Sequence, residues 1–532
     1  MKTDKIVILG GGSAGWMSAA TLIKAFPNKD ITIIESPNFP IIGVGESTLL
    51  GIKEWMRFLE IDEKDFFQFT DASYKLSIKF TDFYKKDHGS FHYPFGHPYM
   101  PNNRNPVTDW HLKKYFYPET TIKNFTDSLF PSSVLFENNK LTNFSRELED
   151  FSLDRYASYH FDAVAFGQFL KTNYCIPRGV KVIPSDLSSY SVDENGIDKI
   201  ILANSEEISA DLFVDCTGFN SLLLGKALDV NFLSYSDILP NNSAWATKLP
   251  YKDKNNELEL FTNCTAIENG WCWNIPLWSR IGAGYVYSDK FVDDKTALLE
   301  FKKYLCSEKM QVPRTSTEIE SLEFRKINFS SGIYEKTFEK NVVAIGLAAA
   351  FVEPLESSGL FSVHEFLFKL IDILERREIN QFDRDMYNVS IKDMYDNFAK
   401  FVALHYALSH RDDTDYWQHQ QTKSFCDSLG DPFFPYVGRS DAFFDMAWRY
   451  MSEWGHPSDK LTAGIPYIST GMNVLCINQR RIKNLENRTG RNFLKEVDDH
   501  TRFIDAKKAD WDRAATNMPS TVDFLYNMFY KK

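Results

Sequence analysis

The chain has 532 residues, a formal net charge of −12, 43% hydrophobic residues and 15% aromatic residues. This composition is typical of a well-packed globular protein, and the length predicts two or more structural units. The acidic balance excludes the basic face that nucleic acid or an anionic membrane surface needs, so we expect neither partner.

The sequence predicts neither a targeting nor a membrane-spanning segment. No run of about 18 apolar residues is present, so we expect no transmembrane helix. The N-terminus leads directly into a predicted strand, so we expect no signal peptide. Seven cysteines are scattered along the chain, and none lies in a C-x-x-C pair. We therefore expect a reducing, cytoplasmic location, with neither a disulfide framework nor a metal site.

The N-terminal segment has the pattern strand, glycine-rich turn, helix, strand. Residues 6–9 predict a buried strand, 16–25 a helix and 31–34 a second strand. The turn carries G-x-G-x-x-G, which lets the backbone approach a pyrophosphate at the helix N-terminus. An acid about 20 residues later accepts hydrogen bonds from an adenosine ribose. The predicted nucleotide contacts are Gly10, Gly12, Ser13, Ala14, Gly15 and Glu35.

Later segments favour FAD over NAD as the nucleotide. The sequence lacks the second G-x-G-x-x-G that a separate NADPH domain would need. The segment 211–218 is a predicted strand that ends in D-C-T-G, and it resembles the second sequence block of FAD proteins of the aromatic-hydroxylase type. The strand 341–346 resembles the block of these proteins that approaches the ribityl chain, although Leu347 stands where they carry Asp or Asn. Val182 is a candidate backbone contact to adenine.

A second glycine-rich loop, 43–48, follows the ribose acid. Its small residues would let a flavin ring lie close to the backbone. We predict Gly45, Glu46 and Ser47 as its contacts to the ring, although an ordinary turn would have a similar composition.

Alternating apolar and polar residues over 75–80 predict a half-exposed strand. Its apolar face would point to the core, and Lys75 and Lys79 would lie on the polar face. By pattern alone, both lysines are interpreted as solvated side chains.

The segment 270–276, G-W-C-W-N-I-P, places Trp271 and Trp273 two residues apart. On a strand this spacing puts both indoles on one face. A buried strand with two core tryptophans also fits the pattern.

The run 351–360, F-V-E-P-L-E-S-S-G-L, precedes a helix that we predict over 360–376. Ser357 or Ser358 is expected to be the N-cap of this helix. The free N–H groups and the dipole of a helix start favour an anion. A capped core helix and an anion site are compatible at this position.

Together these motifs resemble those of flavin-dependent halogenases. The matching segments include the G-V-G-E-S-T loop, a K-x-x-I-K-F-like strand and the G-W-x-W-x-I-P block. The run 351–360 also matches, with Glu353 in place of Asp and Ser358 in place of Thr. Further matches are Y-H-F-D-A at 159–163, whose His160 and Asp162 are interpreted as structural, and H-Y-x-x-x-x-R-D-D with the following Tyr-Trp at 405–417. The resemblance spans roughly residues 5–417.

The resemblance implies an α/β fold. It implies a FAD-binding, doubly wound domain of the aromatic-hydroxylase (GR2) type, with a mixed β-sheet insertion and a mainly helical C-terminal part. The expected division is a halogenase core at 1–417, with a substrate-side insertion at about 75–160, and a helical region at 418–532 that covers the substrate site. One helix of this region is expected at 441–454.

The resemblance also implies a reaction. In this family FADH2 and O2 give a flavin hydroperoxide, which oxidises a halide ion to hypohalous acid. Lys79 would hold and direct this oxidant, Glu356 would assist, and Lys75 would be structural. The remaining assignments are Ser358 and Gly359 for the halide, Leu347 and Leu360 for the flavin, and Trp271 and Trp273 for the lining of the tunnel.

The partners implied are a separate NAD(P)H-dependent flavin reductase and, by analogy with the family, a second copy in a homodimer. The substrate would be an electron-rich arene, either a free small molecule or carrier-bound. Tyr93 and Phe95 are candidates to stack on it, and core packing explains them equally well. The choice among chloride, bromide and iodide, and the position of halogenation, stay open.

Two other interpretations have to be weighed. One is a single-component flavin hydroxylase, or a prenyl-chain reductase, of the same fold. Lys79, the tryptophan block and the motif at 356–359 argue against both enzymes. The other is a flavin-fold binding protein without catalysis, against which the presence of Lys79 argues.

Overall fold

The computed structural model describes residues 1, 3–39, 43, 45–101, 106–376, 378–420, 464–473 and 479–531. The chain forms two compact units, each assembled from three segments of sequence. The first unit comprises Met1–Ser73, Ser158–Asn242 and Asn328–Ala399. The second comprises Tyr74–Ala157, Ser243–Ile327 and Lys400–Lys532.

A six-stranded sheet forms the core of the first unit. Its neighbouring strands run parallel, except for one antiparallel edge strand. The central strands are buried on both faces and consist mainly of Ile, Val and Leu, as is typical of parallel sheets. The strand order is Phe338–Glu339, Val342–Ala344, Leu212–Asp215, Lys5–Leu9, Asp30–Glu35 and Lys181–Pro184.

Helices and small sheets complete the first unit. The helices are Ser13–Ala25, Gly51–Leu59, Glu63–Thr70, Ala163–Phe169, Ser358–Leu374 and the part of Gln381–Ala407 that ends at residue 399. One small antiparallel sheet contains Leu187–Asp193, Gly196–Leu202 and Glu207–Ile208, and another contains Phe232–Ser234, Gly332–Tyr334 and Ala350–Phe351. The parallel sheet and its helices confirm the predicted α/β class.

A seven-stranded mixed sheet forms the core of the second unit. Phe261–Ile267 runs parallel to Ser77–Thr81 and antiparallel to Gly270–Pro276. The helix Asp294–Leu305 covers part of one face with Ala297 and Phe301. The strand order is Arg325–Asn328, Ser243–Pro250, Arg280–Tyr287, Gly270–Pro276, Phe261–Ile267, Ser77–Thr81 and Ser90–Pro94.

The remainder of the second unit is mainly helical, and beyond residue 417 its described part confirms the predicted helical C-terminal region. The predicted helix 441–454 lies outside the described residues. Among the described residues, no helix is both long and apolar enough to span a bilayer. The helices are Pro106–Phe116, Lys123–Leu129, Ser133–Glu137, Leu153–Tyr156, Lys254–Glu257, Ser316–Glu320, Asp415–Gln420, Ile465–Gly471, Gln479–Thr489, Phe493–Thr516 and Thr521–Leu525.

The segment 75–80 differs from its prediction. Two strands, Ser73–Lys75 and Ser77–Thr81, meet at Leu76 in place of one continuous strand. The half-exposed interpretation is wrong, because Lys75 and Ser77 are fully buried. The polar face of Ser77–Thr81 is covered as well: Ser77 Oγ lies 2.9 Å from Nδ1 of the buried His92.

Candidate active site

Three glycines of the glycine-rich turn have different surroundings. The fold requires glycine at two of them, and the third faces open space. Gly10 has φ +116°, and a Cβ there would lie 2.3 Å from the Cys216 carbonyl oxygen. A Cβ on Gly15 would lie 1.8 Å from the Gly10 oxygen. A Cβ on Gly12 would meet nothing within 4 Å. Gly12 therefore leaves room for a ligand at the N-terminus of the helix Ser13–Ala25.

Ser13 and Ala14 offer backbone groups to that space. The Ser13 hydroxyl donates to the Ala163 carbonyl at 2.9 Å, so its side chain is already engaged. The Ala14 side chain packs against Gly346, which has φ +67°. The predicted helix 16–25 thus begins earlier, at Ser13, and its first N–H groups lie at the positive end of the helix dipole.

Glu35 ends its strand with both carboxylate oxygens in contact with the chain. One oxygen pairs with Lys171 Nζ, and the other accepts from Trp16 Nε1 at 3.4 Å. Lys171 Nζ also lies 5.4 Å from the centre of the Trp16 ring. Sequence reasoning missed Lys171, since it lies 136 residues from Glu35 and carries no local motif.

Val182 lies on the edge strand of the parallel sheet. It is opposite Ile33, and Pro184 on the same strand is opposite Glu35. Val182 and Glu35 therefore lie on neighbouring strands, two residues apart in register, and Glu35 lies at the carboxyl end of its strand, where open α/β sheets bind ligands.

The D-C-T-G block organises the backbone through Asp215. The buried Asp215 carboxylate accepts hydrogen bonds from Thr217 and from the backbone N–H groups of Leu223 and Leu224. Burial raises the pKa of Asp215, which these hydrogen bonds oppose. Leu347 lies in the single turn Gly346–Ala348, where its apolar side chain offers no polar contact.

The helix Ser358–Leu374 starts with an open N-terminus. Ser357 precedes it in the left-handed conformation (φ 58°), makes no capping hydrogen bond and donates to Ser47 Oγ at 3.0 Å. Ser357 is therefore the N-cap residue, as predicted, but its side chain does not make the capping hydrogen bond. Ser358 Oγ is buried and has no hydrogen-bond partner among the described residues. A Cβ on Gly359 would meet nothing within 4 Å, so the space beside it is open.

The flanking residues of this helix start are buried. Glu356, in the turn Pro354–Glu356, is 2% exposed, and Leu360 is 6% exposed. The helix ends at Leu374, two residues before the predicted end.

The second glycine-rich loop lies in the same unit. Gly45 would place a Cβ in open space, whereas Glu46 and Ser47 are buried. The Glu46 carbonyl accepts from Phe161 N–H at 2.9 Å, and Ser47 forms a β-bridge with His160. Its Val44 lies outside the described residues.

The two lysines of the second unit have different surroundings. Lys75 is fully buried, and its Nζ lies 5.0 Å from the centre of the Phe95 ring. Lys79 is partly exposed, and its Nζ lies 5.3 Å from the centre of the Phe261 ring.

Strand register separates Lys79 from the tryptophans. Lys79 is opposite Asn263, whereas Trp273 is opposite Cys264, the next residue along that strand. Because successive residues of a strand point to opposite faces, Lys79 lies on one face of the sheet and Trp273 on the other. Trp271 and Trp273 share a face as predicted, with ring centres 6.1 Å apart.

Tyr93 lies on the tryptophan face, since it is opposite Ile78, the neighbour of Lys79. Its ring stacks on Tyr467 at 5.8 Å. Phe130 packs edge-on against Tyr467 at 5.5 Å. These contacts form an aromatic cluster close to the predicted substrate residues.

Glu259 is a further titratable group that sequence reasoning missed. Burial raises the pKa of Glu259 to about 7, and the charge of Lys79 opposes that rise. This carboxyl group is therefore near half-protonation at neutral pH.

Comparison with known proteins gives consistent results. The tryptophan halogenase family profile matches residues 5–449. The 7-chloro-L-tryptophan 6-halogenase of Kutzneria sp. (strain 744) is 34% identical over 443 residues, which cover 80% of this chain and 83% of that protein. The tryptophan 7-halogenase of Lentzea aerocolonigenes is 32% identical over 80% of this chain and 81% of its own length. The apo structure of VirX1 matches with a TM-score of 0.89 and 32% identity, covering 100% of this chain and 99% of that one.

Proposed function

This chain belongs to the tryptophan halogenase family and is a flavin-dependent halogenating enzyme, and on that premise we propose that it halogenates an electron-rich arene of the indole class. Two relatives act on tryptophan or a chlorotryptophan, one at position 6 and the other at position 7. Their names support an indole and leave the position of halogenation in this chain open.

The observation that carries the cofactor proposal is open space at glycines of the first unit. Gly12, Gly45 and Gly359 each leave room beside backbone N–H groups, and Ser358 Oγ is buried without a hydrogen-bond partner in the described part of the chain. These features fit a bound dinucleotide and a halide ion. Reduced FAD with O2 would supply the oxidising equivalents that convert the halide to hypohalous acid.

A lysine would hold the hypohalous acid by hydrogen bonding or through a haloamine. The motif assigns this role to Lys79, which stays a prediction. Lys79 is partly exposed, so an oxidant and an arene could reach its Nζ, and it lies on the face of the sheet opposite the tryptophan pair. Lys75 is fully buried and its Nζ lies 5.0 Å from the centre of the Phe95 ring, which fits the structural role predicted for it.

The remaining predicted groups lie in the first unit. Glu356 would accept the proton that the arene loses, since a buried carboxylate is a suitable general base. Ser358 and Gly359 would hold the halide. We further propose a separate NAD(P)H-dependent flavin reductase as the source of FADH2, a cytoplasmic location and a homodimer.

The test is a halogenation assay with FAD, a flavin reductase, NADH, tryptophan and an indole panel, with each halide in turn. Lys75→Met and Lys79→Met are compared with the wild type, because Met keeps the aliphatic stem and removes the charge. We expect halogenated product, a loss of about 100-fold or more in kcat for Lys79→Met, and a change of only a few-fold for Lys75→Met.

The opposite ranking of the two variants would assign the role to Lys75. Full activity in both would exclude a lysine mechanism. Hydroxylated product in place of halogenated product would support the monooxygenase interpretation.

A further inference from the structure

Lys171 forms a three-residue cluster with the acid at the nucleotide site. Its ammonium group pairs with Glu35, and the side chains are 23% and 17% exposed, respectively. It also lies over the Trp16 ring, and Trp16 Nε1 donates to the other Glu35 oxygen at 3.4 Å. Both oxygens of Glu35 are therefore fixed by donors from the chain itself.

The stem of Glu35 is held as well. A Cβ on Gly11 would lie 2.3 Å from Glu35 Cγ, so the acid packs directly against the glycine-rich turn. Lys171 lies in a wide helical turn, Leu170–Cys175, that continues the helix Ala163–Phe169. Wide turns of this type are frequent at functional sites.

The cluster leaves hydrogen-bonding capacity for a ligand. A carboxylate has about four acceptor positions. Lys171 and Trp16 occupy one on each oxygen, and roughly two remain. A ribose diol has two O–H donors, so the remaining capacity matches the diol in number. Without Lys171, Glu35 would lose one of the two contacts that fix its direction.

We propose that Lys171 is a positioning residue for the adenosine ribose: it holds Glu35 so that both ribose hydroxyls can donate to the carboxylate. The proposal rests on the proposed FAD site. It acts through Glu35 and predicts no contact between Lys171 and the reacting atoms.

The experiment measures the Kd of oxidised FAD, and of FAD with a 2′-deoxyadenosine moiety, by flavin fluorescence. The wild type is expected to bind FAD roughly tenfold more tightly than the deoxy analogue. Lys171→Met is expected to weaken FAD binding by roughly tenfold and to bind both ligands about equally. Lys171→Arg keeps the charge and is expected to restore much of the discrimination.

Lys24→Met is the matched control. Lys24 lies on the helix Ser13–Ala25 and pairs at 2.7 Å with the exposed Glu60, so its loss should change neither Kd. Circular dichroism establishes that each variant is folded, and Lys171→Gln replaces Lys171→Met if the latter does not fold. Retained discrimination in the folded neutral variant would overturn the proposal. Failure of the wild type to bind FAD at all would instead overturn the FAD site.

Discussion

Gly12 and Gly15 lie three residues apart in one turn, yet a methyl group would meet different surroundings at each. At Gly15 it would overlap the Gly10 carbonyl oxygen, at 1.8 Å, and at Gly12 it would meet nothing within 4 Å. We expect Gly15→Ala to destabilise the fold by roughly 3 kcal/mol or more. Gly12→Ala should fold normally and weaken FAD binding at least about tenfold, because the methyl group enters the space proposed for the cofactor.

Urea unfolding and FAD titration of the two variants check this contrast. The wild type serves as the reference. An exposed glycine elsewhere, Gly179, has φ +97°, where an alanine would be strained, so Gly179→Ala is not a neutral control. A Gly12→Ala protein that binds FAD as tightly as the wild type would show that the open space is not the cofactor site.

Glu259 gives the second unit a pH-dependent stability. Burial raises the pKa of Glu259 to about 7, above the 4.5 of an ordinary Glu. The folded state therefore holds this proton more tightly, and stability is lost as pH rises from about 4.5 through about 7. The loss should reach at most about 3 kcal/mol, and less where Glu259 remains accessible to water.

Urea unfolding at pH 5 to 8 checks the effect by comparing the wild type with Glu259→Gln, whose side chain does not titrate. The wild type should lose stability relative to the variant as pH rises. A second comparison, with Lys79→Met, should extend the loss to higher pH, since removal of the Lys79 charge raises the pKa of Glu259 further. Parallel pH curves for the wild type and Glu259→Gln would refute the assignment.

At the residue scale, the sequence predicted side chains that belong to short motifs and missed those that distant segments bring together. Glu35 follows its glycine turn at a fixed spacing, so it was predictable. Its partner Lys171 comes from a helix 136 residues away and has no signature. Glu259 was missed for the same reason, since burial by other segments sets its pKa.

The helix Ala163–Phe169 depends on its N-cap. Asp162 accepts hydrogen bonds at 3.0 Å from the backbone N–H groups of Val164 and Ala165, which agrees with its structural interpretation. Asp162→Ala should cost about 1 kcal/mol at this helix start. Hydrogen exchange of a peptide that covers 163–169, followed by mass spectrometry, should then be roughly fivefold faster.

Asp162→Asn is the control for the cap, because the amide keeps an acceptor oxygen and should preserve most of the protection. Equal exchange in the wild type and Asp162→Ala would mean that tertiary packing, and not the cap, holds this helix.

At the element scale, periodicity predicted whether each main element is a helix or a strand better than it predicted how deeply that element is buried. The strand, turn, helix, strand order of the N-terminus is confirmed. Alternation at 75–80 correctly predicted strand, but it could not reveal that neighbouring segments bury the polar side as well. The sequence correctly predicted Ser357 as an N-cap position, but it could not show that this residue is left-handed and makes no capping hydrogen bond.

At the scale of the molecule, each unit is built from three segments that alternate along the chain. Segments 74–157 and 243–327 of the second unit each leave the first unit and return to it after about 85 residues. A folded first unit therefore closes these segments into loops. Closure of a loop of this length restricts the unfolded segment, which raises its free energy by about 4 kcal/mol. Loss of the first unit would remove this stabilisation from the second, so we expect the two units to unfold together.

Buried thiols report on each unit separately. Cys175 and Cys216 are buried in the first unit, and Cys264 and Cys272 in the second, whereas Cys306 is exposed. The protein is pulsed with N-ethylmaleimide at increasing urea concentrations, and the labelled cysteines are identified by peptide mass spectrometry. Cys306 should be labelled even in the absence of urea. The four buried cysteines should share one midpoint.

Peptide-level detection keeps Cys426 and Cys476, which lie outside the described residues, from obscuring the result. Cys306→Ser is the control for the fast signal. Two midpoints, one for each pair of buried thiols, would contradict the coupling. In that case the loops would be too loosely closed to link the units, and each would have to be stable without the other.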